Sequence, residues 1–366
     1  MSKAETGAIA NRPLDIVILG LSITSSWGNG HATTYRGLVK ALAGRGHRVL
    51  FLEHDAPWYA RNRDMVRPPG ARVALYHDTR DLIGRFSAEV RKADVVIIGS
   101  YTRDGIKIGE WLMNAATGVT AFYDIDTPVT LTGLENGSID YLSRELAGAY
   151  DLYLSFTGGP TLDILNKRYG ARMPRPLYCS ADPDLYYFEE SPCEWDLGYM
   201  GTYSADRAPA LRRLLLKPAR RWKKGRLVVA GALYPEQMRW PANVRHVEHV
   251  APGEHRRFYV SQRFTLNLTR APMLAAGYSP SVRLFEAAAC ATPIITDYWD
   301  GLAEFFEPGR EILVASGPED TLEYIRGMPE SQRAAISQRA RRCTLAQHTA
   351  YQRALELERY IEEVEN

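Results

Sequence analysis

The feature that most constrains the fold is a series of short apolar runs that recur along the chain, each ending in a small or acidic residue. The runs are too short for helices, are rich in Val, Ile and Leu, and show little polar alternation. That composition is typical of strands buried on both faces of a parallel sheet. Twelve such runs occur in two sets of six: 15–20, 47–53, 72–76, 94–99, 119–124 and 151–155, then 196–200, 226–231, 244–250, 264–268, 293–297 and 311–315.

Stretches with helical spacing lie between several of these runs. Residues 32–46, for example, space apolar side chains at helical intervals and end on glycine. Residues 174–195 separate the two sets and are rich in proline and turn formers, which predicts a linker. The pattern, and a length of 366 residues, predict two β-α-β domains, residues 1–180 and 181–348, and a C-terminal helix over 349–366.

Composition excludes several classes of protein. The sequence contains no run of about 18 apolar residues, the length needed to span a membrane. Residues 1–15 lack the apolar segment of a signal peptide. The four cysteines have no CxxC spacing, which argues against a zinc site or a disulfide framework. The net charge of +2 is far from the strongly basic charge that is typical of nucleic-acid-binding proteins. We expect a cytoplasmic protein that does not bind nucleic acid.

One local run, residues 219–226, is basic. The simpler interpretation is a solvated loop before a strand. The alternative is a contact with an anionic lipid or a phosphate group.

The loop after the first strand is long, small and polar, and it leads into a helix near His31. It lacks the GxGxxG and Lys-Ser/Thr patterns of dinucleotide and NTP sites. Its backbone N–H groups are candidates for holding an anion or shaping an acceptor pocket through Trp27 and Asn29. His31 is a candidate general base. A simple turn at residues 28–30 and a structural role for His31 are the alternatives.

The fifth strand ends in the sequence Asp124-Ile125-Asp126-Thr127-Pro128. A carboxylate at this position can remove a proton from an acceptor hydroxyl. We prefer Asp126 because it lies further out from the sheet than Asp124. The alternative is that Asp126 caps a turn before Pro128.

The second domain offers an anion site. Its first strand is followed by a small-residue loop, from Gly201 and Thr202 to Arg207, and an arginine there can neutralise a diphosphate. The alternative is a surface pair between Asp206 and Arg207.

Residues 279–281 read Ser-Pro-Ser and predict a helix N-terminus with a hydroxyl cap and proline in the first turn. The helix dipole and Arg283 favour an anion there. Glu286 is placed to accept hydrogen bonds from the two hydroxyls of a ribose. The alternative is an Arg283–Glu286 surface pair.

The stretch 279–314 resembles the nucleotide-binding motif of group-1-type glycosyltransferases of the GT-B fold. It is most similar to the CgeB-like family. Further resemblance covers SSWGNGHATTYRGL, YDIDTPVT, LSFTGGP, GYMGTYSADR and FTLNLTR, and therefore nearly the whole chain.

The resemblance implies a role for each matching residue. Glu286 matches the acid that binds the donor ribose, and His249 and Val250 match residues that hold the base. Matches to diphosphate-binding loops are Gly201, Thr202, Arg207, Ser279, Ser281 and Arg283. Many retaining relatives carry a second acid eight residues before the ribose acid, where this chain has Tyr278, so the stereochemical outcome is not implied.

We therefore expect a bacterial, cytoplasmic GT-B enzyme with two Rossmann-like domains across a cleft and a last helix that returns to the first domain. It would transfer a sugar from a nucleoside-diphosphate sugar, UDP-linked by preference, to an acceptor hydroxyl. Acceptor contacts are expected from Trp27, Asn29, Tyr101 and Asp124, with His31 and Asp126 catalytic. The alternatives are an epimerase and a non-catalytic sugar-binding protein of surface-layer or polysaccharide assembly.

No metal is expected to take part. Asp124 and Asp126 are a formal match to a DxD motif, but they lie in the domain predicted not to bind the donor. Helix N-termini and arginine would stabilise the phosphate charge instead.

Overall fold

The computed structural model describes residues 12–366, so the prediction that residues 1–15 are not a signal peptide falls mostly outside it. The chain divides into two compact units. The first unit comprises residues up to Phe156, Pro160–Leu177 and Tyr351–Asn366, and the second comprises Thr157–Gly159 and Tyr178–Ala350. This division does not test which unit binds which substrate, and that assignment stays a prediction.

A seven-stranded, fully parallel sheet forms the centre of the first unit, in the order β3-β2-β1-β4-β5-β6-β7. The strands are β1 (Asp15–Gly20), β2 (Arg48–His54), β3 (Arg72–Tyr76), β4 (Val95–Gly99), β5 (Val119–Asp124), β6 (Leu152–Ser155) and β7 (Pro174–Pro176). The inner strands β1, β4, β5 and β6 are buried along nearly their whole length. This burial explains their unbroken apolar sequences.

Helices cover this sheet. They are α1 (His31–Gly44), α2 (Pro57–Ala60), α3 (Thr79–Lys92), α4 (Gly105–Ala115), α5 (Thr127–Asn136), α6 (Arg144–Ala149), α7 (Pro160–Tyr169) and, from the end of the chain, α15 (Ala350–Glu365). In α3, Leu82, Phe86 and Val90 recur every four residues and are the buried side chains. The Asp78 carboxylate accepts from the Asp81 N–H and begins that helix.

The C-terminal helix α15 is fixed to the first unit by buried charges. Glu358 is 3% exposed and accepts from the guanidinium of Arg45 and from His47, whose Nε2 lies 2.7 Å from it. The other nitrogen of His47 accepts from the Leu14 N–H, so Nε2 carries a proton toward Glu358. The Tyr360 hydroxyl also donates to the Pro176 carbonyl.

The second unit repeats the same topology with six parallel strands in the order β10-β9-β8-β11-β12-β13. They are β8 (Leu197–Met200), β9 (Leu227–Ala230), β10 (Val244–Val247), β11 (Thr265–Asn267), β12 (Ile294–Thr296) and β13 (Leu313–Val314). Counted from its own first strand, each unit contains the order 3-2-1-4-5-6 of dinucleotide-binding folds, to which the first unit adds a seventh strand at the edge.

The helices of the second unit are α8 (Ala208–Leu211), a π-helical turn (Arg212–Leu216), α9 (Lys217–Arg221), α10 (Pro252–Val260), α11 (Ala271–Ala276), α12 (Val282–Ala289), a 3₁₀ turn (Leu302–Glu304), α13 (Pro318–Gly327) and α14 (Glu330–Gln347). The small residues 287–289 of α12 are fully buried, as expected for a helix that packs closely on its sheet.

The predicted fold class is confirmed. All twelve predicted runs contain a strand, although 244–250 ends at Val247 and the basic run 219–226 begins inside α9 rather than in a loop. The predicted linker was wrong at its start, because Pro174–Pro176 pairs with β6 as an edge strand, a position that tolerates proline. Within residues 12–366 no helix is both long and apolar enough to cross a membrane.

Candidate active site

Each sheet reverses its strand order at one point, and ligands of open parallel sheets bind beside the carboxyl ends of the strands at that point. In the first unit the reversal lies between β1 and β4, and in the second between β8 and β11. The loops that leave these four strands carry most of the residues singled out from the sequence.

The loop after β1 is held by a buried acid at the end of β2. The Glu53 carboxylate, 1% exposed, accepts from the backbone N–H groups of Ile23 and Thr24 at 2.8 and 2.9 Å. It also accepts from the hydroxyls of Ser22 and Thr24 at 2.8 and 2.6 Å. One carboxylate therefore fixes the first turn of this loop.

A second acid fixes the following turn. Asp64 accepts from the Ser26 N–H at 2.8 Å and forms a two-bond pair with the Arg36 guanidinium at 2.9 Å. Arg36 also donates to the Ile23 carbonyl. The N–H groups of Ile23, Thr24 and Ser26 therefore already have carboxylate partners and are not available to an anion. Whether the rest of the loop holds one stays a prediction.

The last part of the loop leads to α1. Asn29 is buried, donates to the carbonyls of Ser22 and Ser25, and accepts from the His31 N–H. It therefore supports the loop from inside, in keeping with a turn at residues 28–30. Trp27 packs edge-on against Trp58 with ring centroids 4.6 Å apart.

The two predicted catalytic residues meet. His31 is the first residue of α1, and its Nε2 lies 4.0 Å from Oδ2 of Asp126. The Tyr101 hydroxyl donates to the same carboxylate oxygen at 2.8 Å. The side chains of His31 and Asp126 are 28% and 14% exposed, so a ligand can reach the pair.

The side chain of Asp126 does not cap the helix that follows it. Asp126 occupies the N-cap position of α5, but its carboxylate accepts no bond from that helix. Tyr101 has a left-handed backbone with φ of 65°, which is uncommon for a bulky residue and costs on the order of 1–2 kcal/mol. Burial, and next to it the charge of Asp126, raise the pKa of Tyr101.

Asp124 lies beneath this group and is fully buried. Its carboxylate accepts from the hydroxyls of Tyr153 at 2.7 Å and Thr130 at 2.8 Å and from the Asp126 N–H at 3.2 Å. Burial raises the pKa of Asp124 to about 6. The geometry places Asp124 as a support for Asp126 and gives it no exposed surface for an acceptor.

In the second unit the loop after β8 is built around Arg283. Its guanidinium donates to the Met200 carbonyl and to Oδ1 of Asn267, the latter at 2.9 Å. A Cβ on Gly201 would lie 2.5 Å from the Tyr199 hydroxyl and 3.0 Å from a terminal nitrogen of Arg283, so glycine at 201 leaves room for both side chains.

Two further arginines lie near Arg283. Arg207 donates to the Thr202 carbonyl at 2.6 Å and to the Ser204 hydroxyl. Burial lowers the pKa of Arg207, and the charges of Arg283 and Arg270 act in the same direction. Asp206 pairs with Arg270, at 3.8 Å, rather than with Arg207. The switch point of the second unit is therefore cationic.

The predicted helix start was wrong in detail. Ser281 is the N-cap residue of α12, so Pro280 precedes the helix instead of opening it. The Ser281 hydroxyl makes no capping bond and donates to Asn267 at 2.7 Å. Ser279 accepts from the Thr157 hydroxyl at 2.9 Å. The first-turn N–H groups of α12 thus receive no hydroxyl cap from Ser281.

Glu286 does not pair with Arg283 as a surface residue would. It is 3% exposed and accepts from the Tyr259 hydroxyl at 2.9 Å. Burial and the charge of Glu286 raise the pKa of Tyr186, which lies alongside.

Tyr186 connects this acid to the predicted base-binding segment. Its hydroxyl lies 3.1 Å from Nδ1 of His255, whose Nε2 donates to the Val250 carbonyl. His249 is exposed in the same loop. The roles of His249 and Val250 stay predictions.

Tyr278, the departure from the family pattern, has a left-handed backbone with φ of 49°. Its ring lies between two glycines, since a Cβ on either Gly159 or Gly301 would come within 2.4 Å of a ring carbon. The Tyr278 carbonyl accepts from the Gly158 N–H. An aromatic wedge thus occupies the position of the second acid.

Sequence reasoning missed Glu53, Asp64, Tyr259 and Arg270. The signal for Glu53 was present, because an acid at the end of the second strand lies next to the loop that leaves the first.

Within the part of the chain that the structure describes, no group of three His, Cys, Asp or Glu side chains is arranged to hold a metal. Metal independence stays a prediction.

Residues 207–359 match the family model described as "Glycosyl transferase-like". No curated protein matches the chain significantly.

Solved structures of the same fold cover nearly the whole chain. Sucrose-phosphate synthase from Thermosynechococcus elongatus is 14% identical, with a TM-score of 0.68 over 95% of this chain and 98% of that one. HepE from Anabaena, solved with UDP-glucose, is 14% identical with a TM-score of 0.68 over 95% and 99%. An alpha-glucosyltransferase solved with UDP-glucose and DNA is 13% identical with a TM-score of 0.71 over 97% and 100%.

At these identities the structural likeness establishes the GT-B fold. The family match over residues 207–359 is a similarity of that part of the chain to glycosyl transferase-like sequences. The CgeB-like subfamily and the bacterial origin stay predictions.

Proposed function

We propose that the protein transfers a sugar from a UDP-sugar to an acceptor hydroxyl without a metal ion. The observation that carries the proposal is the cluster of Arg207, Arg270 and Arg283 at the switch point of the second unit, beside the start of α12. Guanidinium groups stabilise the charge that develops on a departing diphosphate.

The second unit would hold the donor. Arg283 and the loop from Gly201 to Arg207 would contact the diphosphate, and Glu286 would accept hydrogen bonds from the ribose. UDP is the favoured nucleotide, because HepE and the alpha-glucosyltransferase were each solved with UDP-glucose.

The first unit would activate the acceptor. Its hydroxyl would give its proton to Nε2 of His31, and the Asp126 carboxylate would stabilise the imidazolium that forms. The acceptor oxygen bonds to the anomeric carbon as the bond from that carbon to the phosphate oxygen breaks, and the electron pair leaves with the nucleoside diphosphate. Tyr101 would hold Asp126 in place, and Trp27 would contact the acceptor.

Thermal shift and turnover test the proposal. UDP should raise the melting temperature saturably, and more than CMP does. UDP-glucose should be consumed faster with a mixture of hydroxyl acceptors than without one, to the same extent in EDTA. Activity that EDTA abolishes and a divalent cation restores would overturn metal independence.

The same assays separate the two alternatives. An epimerase would convert the nucleotide-sugar without releasing UDP and without responding to an acceptor. A non-catalytic sugar-binding protein would bind UDP-sugar but leave it intact. Failure of every nucleotide to shift the melting temperature would contradict the donor site itself.

A further inference from the structure

A strongly basic surface of the second unit has no part in the proposed reaction. Between Asp206 and Glu236 the sequence contains nine arginines and lysines and no acidic residue, although the net charge of the whole chain is only +2. The structure places most of these cations on one continuous helix, Ala208–Arg221, and on the turn that follows it.

This helix has two faces of opposite character. The side chains of Leu211, Leu214, Leu215 and Ala219 are buried in the core of the unit. Arg221 and Arg226 are exposed but pair with Glu319 and Asp196. The other exposed cations, which we call the cationic face, are Arg212, Arg213, Lys217, Arg220, Lys223 and Lys224. Because the opposite side of the helix is packed into the core, the helix cannot rotate to bury these charges.

The cationic face is not neutralised within the described chain. None of its six side chains forms an ion pair or a hydrogen bond among residues 12–366. The neighbouring helix α13 contributes Glu319, which pairs with Arg221, and Asp320, whose carboxylate accepts from two backbone N–H groups. Glu323 is the remaining acid of α13.

We propose that the cationic face is a docking surface for a bilayer that contains anionic phospholipids. Each basic residue held near such a surface contributes about fivefold to binding, and the cations stay hydrated while they do so. The ring of Trp222, next to Lys223, packs against the core of the unit and lies near the guanidinium of Arg326, so it does not stand free for bases to stack on, which disfavours single-stranded nucleic acid.

The position of the cationic face would allow the protein to bind a bilayer while the proposed donor site stays uncovered. The helix starts after the carboxyl end of β8, near Arg207, and runs back to the amino end of β9. Its fourteen residues span about 20 Å. Lys223 and Lys224 therefore lie at the opposite edge of the sheet from the arginine cluster.

Sedimentation with vesicles tests the proposal without any nucleotide, so its result does not depend on the proposed function. The protein should bind vesicles of phosphatidylcholine with phosphatidylglycerol, should not bind phosphatidylcholine alone, and should be released by salt. The triple variant Arg220→Gln, Lys223→Gln, Lys224→Gln should bind about 100-fold more weakly.

A matched control separates this surface from total charge. The triple variant Arg80→Gln, Arg91→Gln, Lys92→Gln removes the same charge from exposed positions on α3 and should bind like the unchanged protein. Circular dichroism melts check that both variants fold. Equal losses in the two triples, no binding to the anionic vesicles, or binding to duplex DNA in place of vesicles would each overturn the proposal.

Discussion

The first and second units begin with the same strand order, yet the loops at their switch points are built from opposite charges. In the first unit, carboxylates of Glu53 and Asp64 take up the N–H groups of the loop after β1. In the second unit, Arg283 and Arg207 donate to carbonyl oxygens of the loop after β8. Identical topology therefore does not determine which substrate a switch point suits.

This difference in charge suits the two units to different parts of the proposed reaction. A loop whose donors are already bound to internal carboxylates has little to offer a diphosphate, whereas an arginine cluster does. His31 and Asp126, whose side chains lie 4.0 Å apart in the first unit, suit proton transfer instead. We therefore expect the donor to bind the second unit and the acceptor to bind the first.

Replacement of Arg283 should have the largest effect on UDP binding and transfer. A small effect would contradict the proposed difference between the two units. Arg283→Ala removes the guanidinium at the centre of the cationic switch point, so UDP binding should weaken by about 100-fold and transfer by about 1000-fold. Arg283→Lys should lie between, because an ammonium keeps the charge but loses the planar fork. Calorimetric titration with UDP measures the loss.

The control for Arg283 is Arg245→Ala, an exposed arginine of β10 in the same unit, which should bind UDP normally. If both variants bind equally well, the arginine cluster is not the diphosphate site. A melting curve without nucleotide shows whether Arg283→Ala has merely lost its bonds to Met200 and Asn267.

Removal of Glu53 tests the carboxylate-built loop. Glu53→Ala leaves two N–H groups and two hydroxyls without their acceptor and should destabilise the protein by about 4 kcal/mol. Glu53→Gln should cost only about 1 kcal/mol, because the hydroxyls of Ser22 and Thr24 can turn to accept from the new amide. Urea unfolding measures both.

The two Glu53 variants should bind UDP with unchanged affinity in buffers where they are folded. Equal stability losses for Ala and Gln would mean that the charge of Glu53, rather than its hydrogen bonds, holds the loop. Weakened UDP binding would contradict the separation of roles between the units.

Asp126→Asn should lower kcat by about 100-fold while the affinity for UDP changes less than twofold. The amide still accepts from Tyr101 but cannot stabilise a protonated His31. Tyr101→Phe, which removes only the hydrogen bond to Asp126, should cost about fivefold. Transfer that survives in Asp126→Asn would remove this residue from the mechanism.

The fold was predictable from the sequence because strands buried on both faces lose all polar alternation, which is visible in residues 95–99 and 119–124. The meeting of His31, Tyr101 and Asp126 follows from the rule that strand ends gather at one edge of a sheet. The left-handed backbone of Tyr101 and the hydrogen bond from Tyr259 to Glu286 depend on loop conformation and long-range packing, which no local pattern encodes.

A smaller effect distinguishes the two acids of the first unit. Burial raises the pKa of Asp124 to about 6, from an ordinary value of 3.8. The folded chain therefore holds this proton more tightly than the unfolded chain. The contribution to stability is complete below about pH 3.8 and is lost as the pH rises through about 6. Over that window it amounts to about 3 kcal/mol.

Asp124→Asn should remove this slope, because an amide does not titrate. The free energy of unfolding of the variant and of the unchanged protein can be measured in urea between pH 4 and pH 7. The difference, variant minus unchanged protein, should shift by about 3 kcal/mol in favour of the variant as the pH rises. Asp126→Asn serves as the control and should not reproduce the change. If the difference between Asp124→Asn and the unchanged protein is constant with pH, Asp124 is ionised in the folded protein throughout that range. Two carboxylate charges, those of Asp124 and Asp126, would then act on His31 even between pH 4 and pH 6, where a raised pKa of Asp124 leaves only that of Asp126.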